Sequence, residues 1–283
     1  MPTDADDARC LSATVCLSLR NGPWRGAALL GLSEPAFGHS PITSGGAEQL
    51  TAVLGLGIFG LVWLAYVTGA RRVAPHWPQA LSFHSTMVVS FLTIWGPLDH
   101  WAQSSAAAHM VQHMMFMVVI APLWVLSRPL PQLAAGSGRL LTRLWQPMLK
   151  LVQHPVYMAY IHGGMIWFWH IPQFYRLALE NPWWHLVEHG CFLATAGLFW
   201  WSVLKCPRRT VGWALLALLL TLMHTGFLGA MLTFAQSPLY GAGRSLQDQQ
   251  LAGLIMWVLG AIPYLLGSGW IGWRMYQQLQ RRW

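Results

Sequence analysis

The chain has 283 residues, 55% of them hydrophobic and only 9% charged, where an average soluble domain carries roughly 25% charged residues. That balance excludes a soluble globular protein, and long uncharged stretches without strict polar-apolar alternation exclude a transmembrane barrel. The formal charge of +8 is no nucleic-acid signature, because the bases are scattered through short loops rather than gathered on one face.

In chain order, residues 1–46 come first. An apolar patch at 26–32 follows Arg20 and Arg25 and precedes Ala36, Phe37 and Gly38, a small-x-small cleavage pattern, while Asp4, Asp6 and Asp7 suit a signal's basic start badly. The segment reads as either a degenerate secretory signal or an extracytoplasmic arm. Seven uncharged stretches then follow, because a charge at the bilayer centre costs at least ~2.5 kcal/mol. Trimmed by Pro and Gly, they predict helices at 48–69, 79–97, 105–126, 153–171, 183–204, 211–234 and 249–273, the fifth taking in Glu188 near its start. The expected fold is all-α, a polytopic transmembrane bundle of seven spans over 47–275 with a basic cytoplasmic tail at 276–283.

Charge orients the bundle. Arg71, Arg72, Arg128, Arg139, Arg143, Lys150, Lys205, Arg208, Arg209, Arg274, Arg281 and Arg282 fall on one side, and only Arg176 and Arg244 on the other, with Asp99, Glu180 and Asp248. Positive charge stays with the cytoplasmic leaflet. The N-terminus of the first span therefore faces out and the C-terminus faces the cytoplasm of a multi-pass protein in a bacterial inner membrane.

Twelve histidines need accounting for, because coordinating groups at membrane depth are costly and face the bundle interior or an aqueous cavity. His109-x-x-x-His113 and His185-x-x-x-His189 each put two imidazoles about 40° apart on one helix face, in the outer half of the third and fifth spans. Glu188, three residues after His185, is placed to ligate or to hydrogen-bond a ligand imidazole. Met117 continues the His109 and His113 stripe, and Met110 and Met114 flank it. His170, His224 and Asp248 approach the same outer half from the fourth, sixth and seventh spans. Imidazole and thioether without thiolate suit copper, with zinc as the alternative. His76, His84 and His154 read as ordinary hydrogen-bonding residues, the methionines equally as packing, and the 18 tryptophans mainly as an interfacial belt. His185 to His189 also spells H-x-x-E-H, the inverzincin zinc-hydrolase pattern, which would need a third protein ligand and a water-filled position. Four cysteines without a C-x-x-C offer neither a disulfide framework nor a thiolate site.

These residues sit in a recognisable setting. His109-Met-Val-Gln-His113 running into Ala121-Pro122-Leu123, Trp169-His170-Ile-Pro172 with Tyr175, His185 to His189 with Phe192 and Phe199-Trp200-Trp201, Leu232-Thr-Phe234 with Leu239-Tyr240, and Asp248-Gln249-Gln250 running to Gly253 and Met256-Trp257 together resemble the CtaG family of cytochrome c oxidase assembly factors. The resemblance covers roughly residues 48–270. It implies a seven-helix membrane protein that is not an enzyme and supplies copper to the catalytic subunit of a haem-copper oxidase. An extracytoplasmic copper chaperone is the corresponding upstream partner, and nucleic acid has no place. The family's polar positions fall on His109, His113, His170, His185, His189 and Asp248. Three other readings stay open from the residues alone: a membrane zinc hydrolase, a haem-binding redox protein, and a metal permease, for which the inner halves of the spans carry little polarity beyond His84.

Overall fold

The computed structural model describes residues 45–138, 147–148, 150–241 and 244–280. Residues 1–44, on which the expectation of a signal or arm falls, lie outside the described residues, as do Arg139, Arg143, Arg281 and Arg282. Among the described residues every regular element is helical and none is a strand.

Helix α1 (Gly46–Ala70) has no charge after Glu48 and leaves Ile58, Leu61 and Leu64 facing outward. Such a row of large exposed apolar side chains suits hydrocarbon and not water. Helix α2 (Trp77–Trp95) carries Pro78 in its first turn and stops at Gly96, because Pro97 pushes the residue before it into extended backbone. Pro97 then opens α3 (Pro97–Ser104). Helix α4 (Ala106–Met114) widens into a π turn (Met115–Ile120) and resumes as α5 (Ala121–Ser127), after which α6 (Leu130–Ser137) packs on α1. Helices α7 (Pro155–His170), α8 (Pro172–Glu180) and α9 (Pro182–Leu204) each start with proline, where a missing N–H costs nothing. Helix α10 (Val211–Thr233) precedes α11 (Leu246–Leu254), which passes through a second π turn (Ile255–Leu259) into α12 (Ala261–Gln280).

Each of the seven expected spans coincides with helix. Five stretches are long and apolar enough to cross a membrane: Gly46–Ala70, Trp77–Ser104, Ala106–Ser127, Arg208–Thr233 and Leu246–Gln277. Helix α7, at 16 residues, is shorter than these. Helices α3, α6 and α8 were expected as loop. Two of them carry acidic or basic residues and all are short, so a search for long uncharged runs passes over them.

Both π turns have a cause in the sequence. Pro122 and Pro263 lack an N–H and crowd the carbonyl four residues before, so the helix widens by one residue ahead of each. Ala121 N–H donates to Phe116 O and Gly260 N–H to Ile255 O, both spanning five residues. The Met117 carbonyl would then look to Pro122, which has nothing to donate. The buried Trp200 indole supplies the missing donor, at 2.8 Å from Met117 O.

The main core joins α4, α5, α7, α9, α10, α11 and α12 around Met117, Phe192, Phe199, Trp200 and Leu218. Helices α10 and α11 cross so closely at Gly229 and Gly253 that a Cβ on Gly253 would fall 2.6 Å from Gly229 O, the small-residue crossing that membrane helices use. A separate cluster of Tyr66, Phe83, Met87 and Leu133 ties α1, α2 and α6 together, with Tyr66 and Phe83 stacked at 3.5 Å. An apolar cavity of about 600 Å³ lies between that cluster and α9.

Candidate metal centre

Four imidazoles meet between α4 and α9. Within α4 the rings of His109 and His113 are 4.2 Å apart, and within α9 those of His185 and His189 are 4.1 Å apart. Across the two helices His109 faces His185 and His113 faces His189, each at 5.6 Å. The four rings therefore form the corners of a rectangle, as two i, i+4 pairs on facing helices must.

Glu188 reaches into this rectangle. Its Oε2 lies 3.9 Å from His109 Nε2 and its Oε1 lies 3.7 Å from His113 Nε2. Two groups among the described residues bring three ligand atoms within 4.8 Å of one another: His109, His113 and Glu188, and His185, Glu188 and His189. His109, His113 and Glu188 are buried, whereas His185 and His189 border the 600 Å³ cavity. Neither Glu188 oxygen nor either His113 nitrogen makes a hydrogen bond. A buried carboxylate without hydrogen bonds costs several kcal/mol unless a cation compensates it. Imidazole nitrogens and one carboxylate form a donor set that fits copper or zinc.

His170 stands next to this group, its ring 6.5 Å from that of His113. Its Nδ1 donates to Ile166 O at 2.8 Å, which leaves the Nε2 lone pair free of hydrogen bonds. Such a backbone bond on one ring nitrogen fixes the tautomer of a ligand histidine. Phe192 and Phe116 wall the centre, 4.7 Å from the rings of His113 and His189.

Not every expected residue arrives. His224 sits over Gly163 of α7, where an added Cβ would fall 2.5 Å from its Nε2, so glycine makes room for it at the α7 and α10 interface. Met117 follows His113 by four residues, but the π turn between them shifts the helical register, and Phe116 takes the place on the His189 side. Met110 and Met117 are buried members of the apolar core, and the Met114 sulfur faces Gly260 on the second π turn.

Asp248 is also displaced from the role expected of it. Its carboxylate accepts from Ser105 Oγ at 2.8 Å, from Ala106 N–H, and from Ala107 N–H at 3.2 Å. These are the free donors at the start of α4, so Asp248 caps the helix that carries His109 and His113. Its own helix is capped by Ser245.

The His109 end of the centre is roofed. Arg244 donates to Tyr175 Oη at 2.6 Å and to Ala102 O at 2.8 Å, and Tyr175 stacks on Tyr240 at 3.9 Å. Tyr175 in turn lies 5.6 Å from His109, and Tyr240 donates to His170 O at 3.3 Å. Burial pushes the Tyr175 phenol up to about 12, against the opposing pull of Arg244, so it stays protonated. A site open to the outer aqueous face was expected; Arg244, Tyr175 and Tyr240 cover the His109 end of the centre, and the cavity lies on the His185 and His189 side. Sequence reasoning also passed over Gln112, which donates from Nε2 to the buried Asp99 at 2.9 Å and to Thr93 O at 2.9 Å, anchoring α4 one residue before His113. Arg244 was readable as one of only two outer bases. His84, by contrast, takes the ordinary role read for it, accepting from Trp63 Nε1 at 3.1 Å.

Comparison with curated proteins and with solved structures finds no match. The family model described as cytochrome c oxidase caa3 assembly factor (Caa3_CtaG) matches residues 62–278, which span α4, α9 and every residue of the histidine group. The chain therefore belongs to the CtaG family of cytochrome c oxidase caa3 assembly factors.

Proposed function

We propose that this protein is a non-enzymatic membrane assembly factor that holds copper between His109, His113, His185 and His189 and passes it to the catalytic subunit of a haem-copper oxidase. The convergence of two i, i+4 histidine pairs on Glu188, a buried carboxylate without a hydrogen bond, carries this reading. Family membership supplies the oxidase; the donor set fits copper or zinc, and a haem-copper oxidase as client favours copper. Copper is cargo here, and an extracytoplasmic copper chaperone would load it.

The bundle makes seven spans in a bacterial cytoplasmic membrane, α7 and α9 crossing with the five longer stretches. Two arguments support this. Pro155 and Pro182 start α7 and α9 beside the bases expected inside and the acidic residues expected outside, and seven spans put Arg71, Arg128, Lys205 and Arg274 on one side. The roof of Arg244, Tyr175 and Tyr240 then faces outward, and the cavity beside His185 and His189 gives the ion a lateral route within the membrane. A zinc hydrolase would require Glu188 to serve as a free base, whereas its oxygens address the imidazoles of the facing helix.

The test is genetic and chemical. In a deletion strain complemented with His113→Ala or His189→Ala, the protein should be inserted and folded, and the oxidase should contain haem but little copper. His84→Ala should mature oxidase normally. If the paired-His variants yield fully active oxidase while the deletion does not, the protein is a scaffold and the copper reading fails.

A further inference from the structure

We propose that Arg128, Lys205 and Arg274 form a binding site for the phosphate head group of an anionic phospholipid, where α5, α9 and α12 meet at one end of the bundle. The proposal needs the membrane-spanning reading of the chain and is independent of the copper reading.

The three bases come from separate elements. Arg128 follows α5, Lys205 follows α9, and Arg274 lies in the last two turns of α12. Val125, Leu204, Cys206 and Ile271, close to them in sequence, are buried in the same core. Arg274 Nη1 donates to Leu204 O at 3.4 Å, and its guanidinium lies 5.0 Å from the Trp270 ring, which holds it beside the Lys205 backbone. Burial, and then the charges of Arg128 and Arg274, pull the half-buried Lys205 ammonium down to about 8. At neutral pH it is still mostly charged, so three like charges stand together partly out of water.

Their counter-charge is not in the neighbouring chain. The stretches 127–152, 205–210 and 274–283 contain no Asp or Glu. The C-terminal ends of α5 and α9 supply about half a negative charge each, which leaves about two positive charges over. The positive-inside tendency explains bases in the loops at this end, but not three of them drawn to one half-buried point. Arg128 points the same way. Among the described residues it is the only one other than glycine with a positive φ, at 48°, and Pro129 after it disfavours helical backbone further. Glycine would take that left-handed turn without penalty, and a side chain kept in a costly backbone marks a functional position.

The depth selects the ligand. Exposed Trp213, Trp270 and Trp273 lie at this end, and such aromatics sit at the level of lipid head groups. A phosphodiester is the anion at hand there, and guanidinium groups give it short, charge-assisted hydrogen bonds. A bound head group would tie α9, which carries His185 and His189, to α5, which continues α4 through the π turn.

Native mass spectrometry of the delipidated full-length protein in detergent tests this by counting bound lipid. Wild type should hold one phosphatidylglycerol in preference to phosphatidylcholine of the same acyl chains by on the order of a hundredfold, each base contributing about fivefold. Lys205→Gln and Arg274→Gln should each lose about fivefold. Arg128→Gly should lose as much, yet unfold in denaturant no earlier than wild type, because glycine relieves the backbone. Arg209→Gln removes one charge from the same loop as Lys205 and should keep the full preference. An equal loss in Arg209→Gln would mean diffuse surface charge, and a wild type that binds both lipids alike would mean apolar contact alone; either overturns the site. Arg128→Gly with an undiminished preference would overturn the three-base arrangement. Inorganic phosphate bound as tightly as phosphatidylglycerol would make this a site for a soluble anion and overturn the lipid.

Discussion

Replacing Asp248 with Ala removes the acceptor that three donors share at the start of α4: Ser105 Oγ, Ala106 N–H and Ala107 N–H. Loss of a helix cap costs about 0.5–2 kcal/mol, and a hydrogen bond to a charged group contributes about 1.5–3 kcal/mol where it is dry. These donors are part-buried and Ser105 still accepts from Ala108 N–H, so the lower ends apply and the total comes to about 2 kcal/mol. Asp248→Asn keeps an acceptor oxygen and should lose about half as much. Tryptophan fluorescence during denaturant unfolding in micelles reads the loss. Because Asp248 touches α4 and not the imidazoles, copper affinity should fall only as far as His109 loses its place, and the Asn variant should restore most of it. If Asp248→Ala unfolds as the wild type does while copper binding collapses, Asp248 is a ligand and the capping argument is refuted.

Two other outcomes follow from the same geometry. Trp200→Phe leaves the Met117 carbonyl without a donor at the π turn, so it should destabilise the protein by about 1–3 kcal/mol, although the ring stack on Tyr264 survives; an unchanged unfolding midpoint would mean that water or the backbone fills the gap. Reporter fusions after Gly138 and after Gln236 should report opposite sides of the membrane, cytoplasmic for the first, and a common side would contradict seven spans.

Five spans were legible because hydrocarbon imposes one rule, near absence of charge over a helix's length, which Gly46–Ala70, Trp77–Ser104, Ala106–Ser127, Arg208–Thr233 and Leu246–Gln277 obey over most of their course. The paired histidines were legible for a similar reason: i, i+4 spacing fixes a common face whatever the partner helix is. Features that depend on where helices end or widen were not. Met117 reads as a continuation of the His113 stripe only if the helix keeps 3.6 residues per turn, and Pro122 breaks that assumption five residues on. Asp248 meets the same end of α4 as the histidines, but depth alone does not separate a carboxylate aimed at imidazoles from one aimed at the N–H groups of Ala106 and Ala107. His224 shows the same limit from the other side, since the glycine that receives it, Gly163, is distant in sequence. The roof of Arg244, Tyr175 and Tyr240 joins α8 to the loop before α11, and no local pattern marks such a contact.

The central claim, that copper sits on imidazoles between α4 and α9, is tested most directly by X-ray absorption at the copper edge of the loaded protein. The account predicts nitrogen neighbours at about 2.0 Å with the outer-shell scattering of imidazole rings, and their loss when His113→Ala and His189→Ala are combined. Sulfur neighbours near 2.3 Å, the thiolate distance that a methionine site would approach, or a spectrum unchanged in the combined variant, would contradict it.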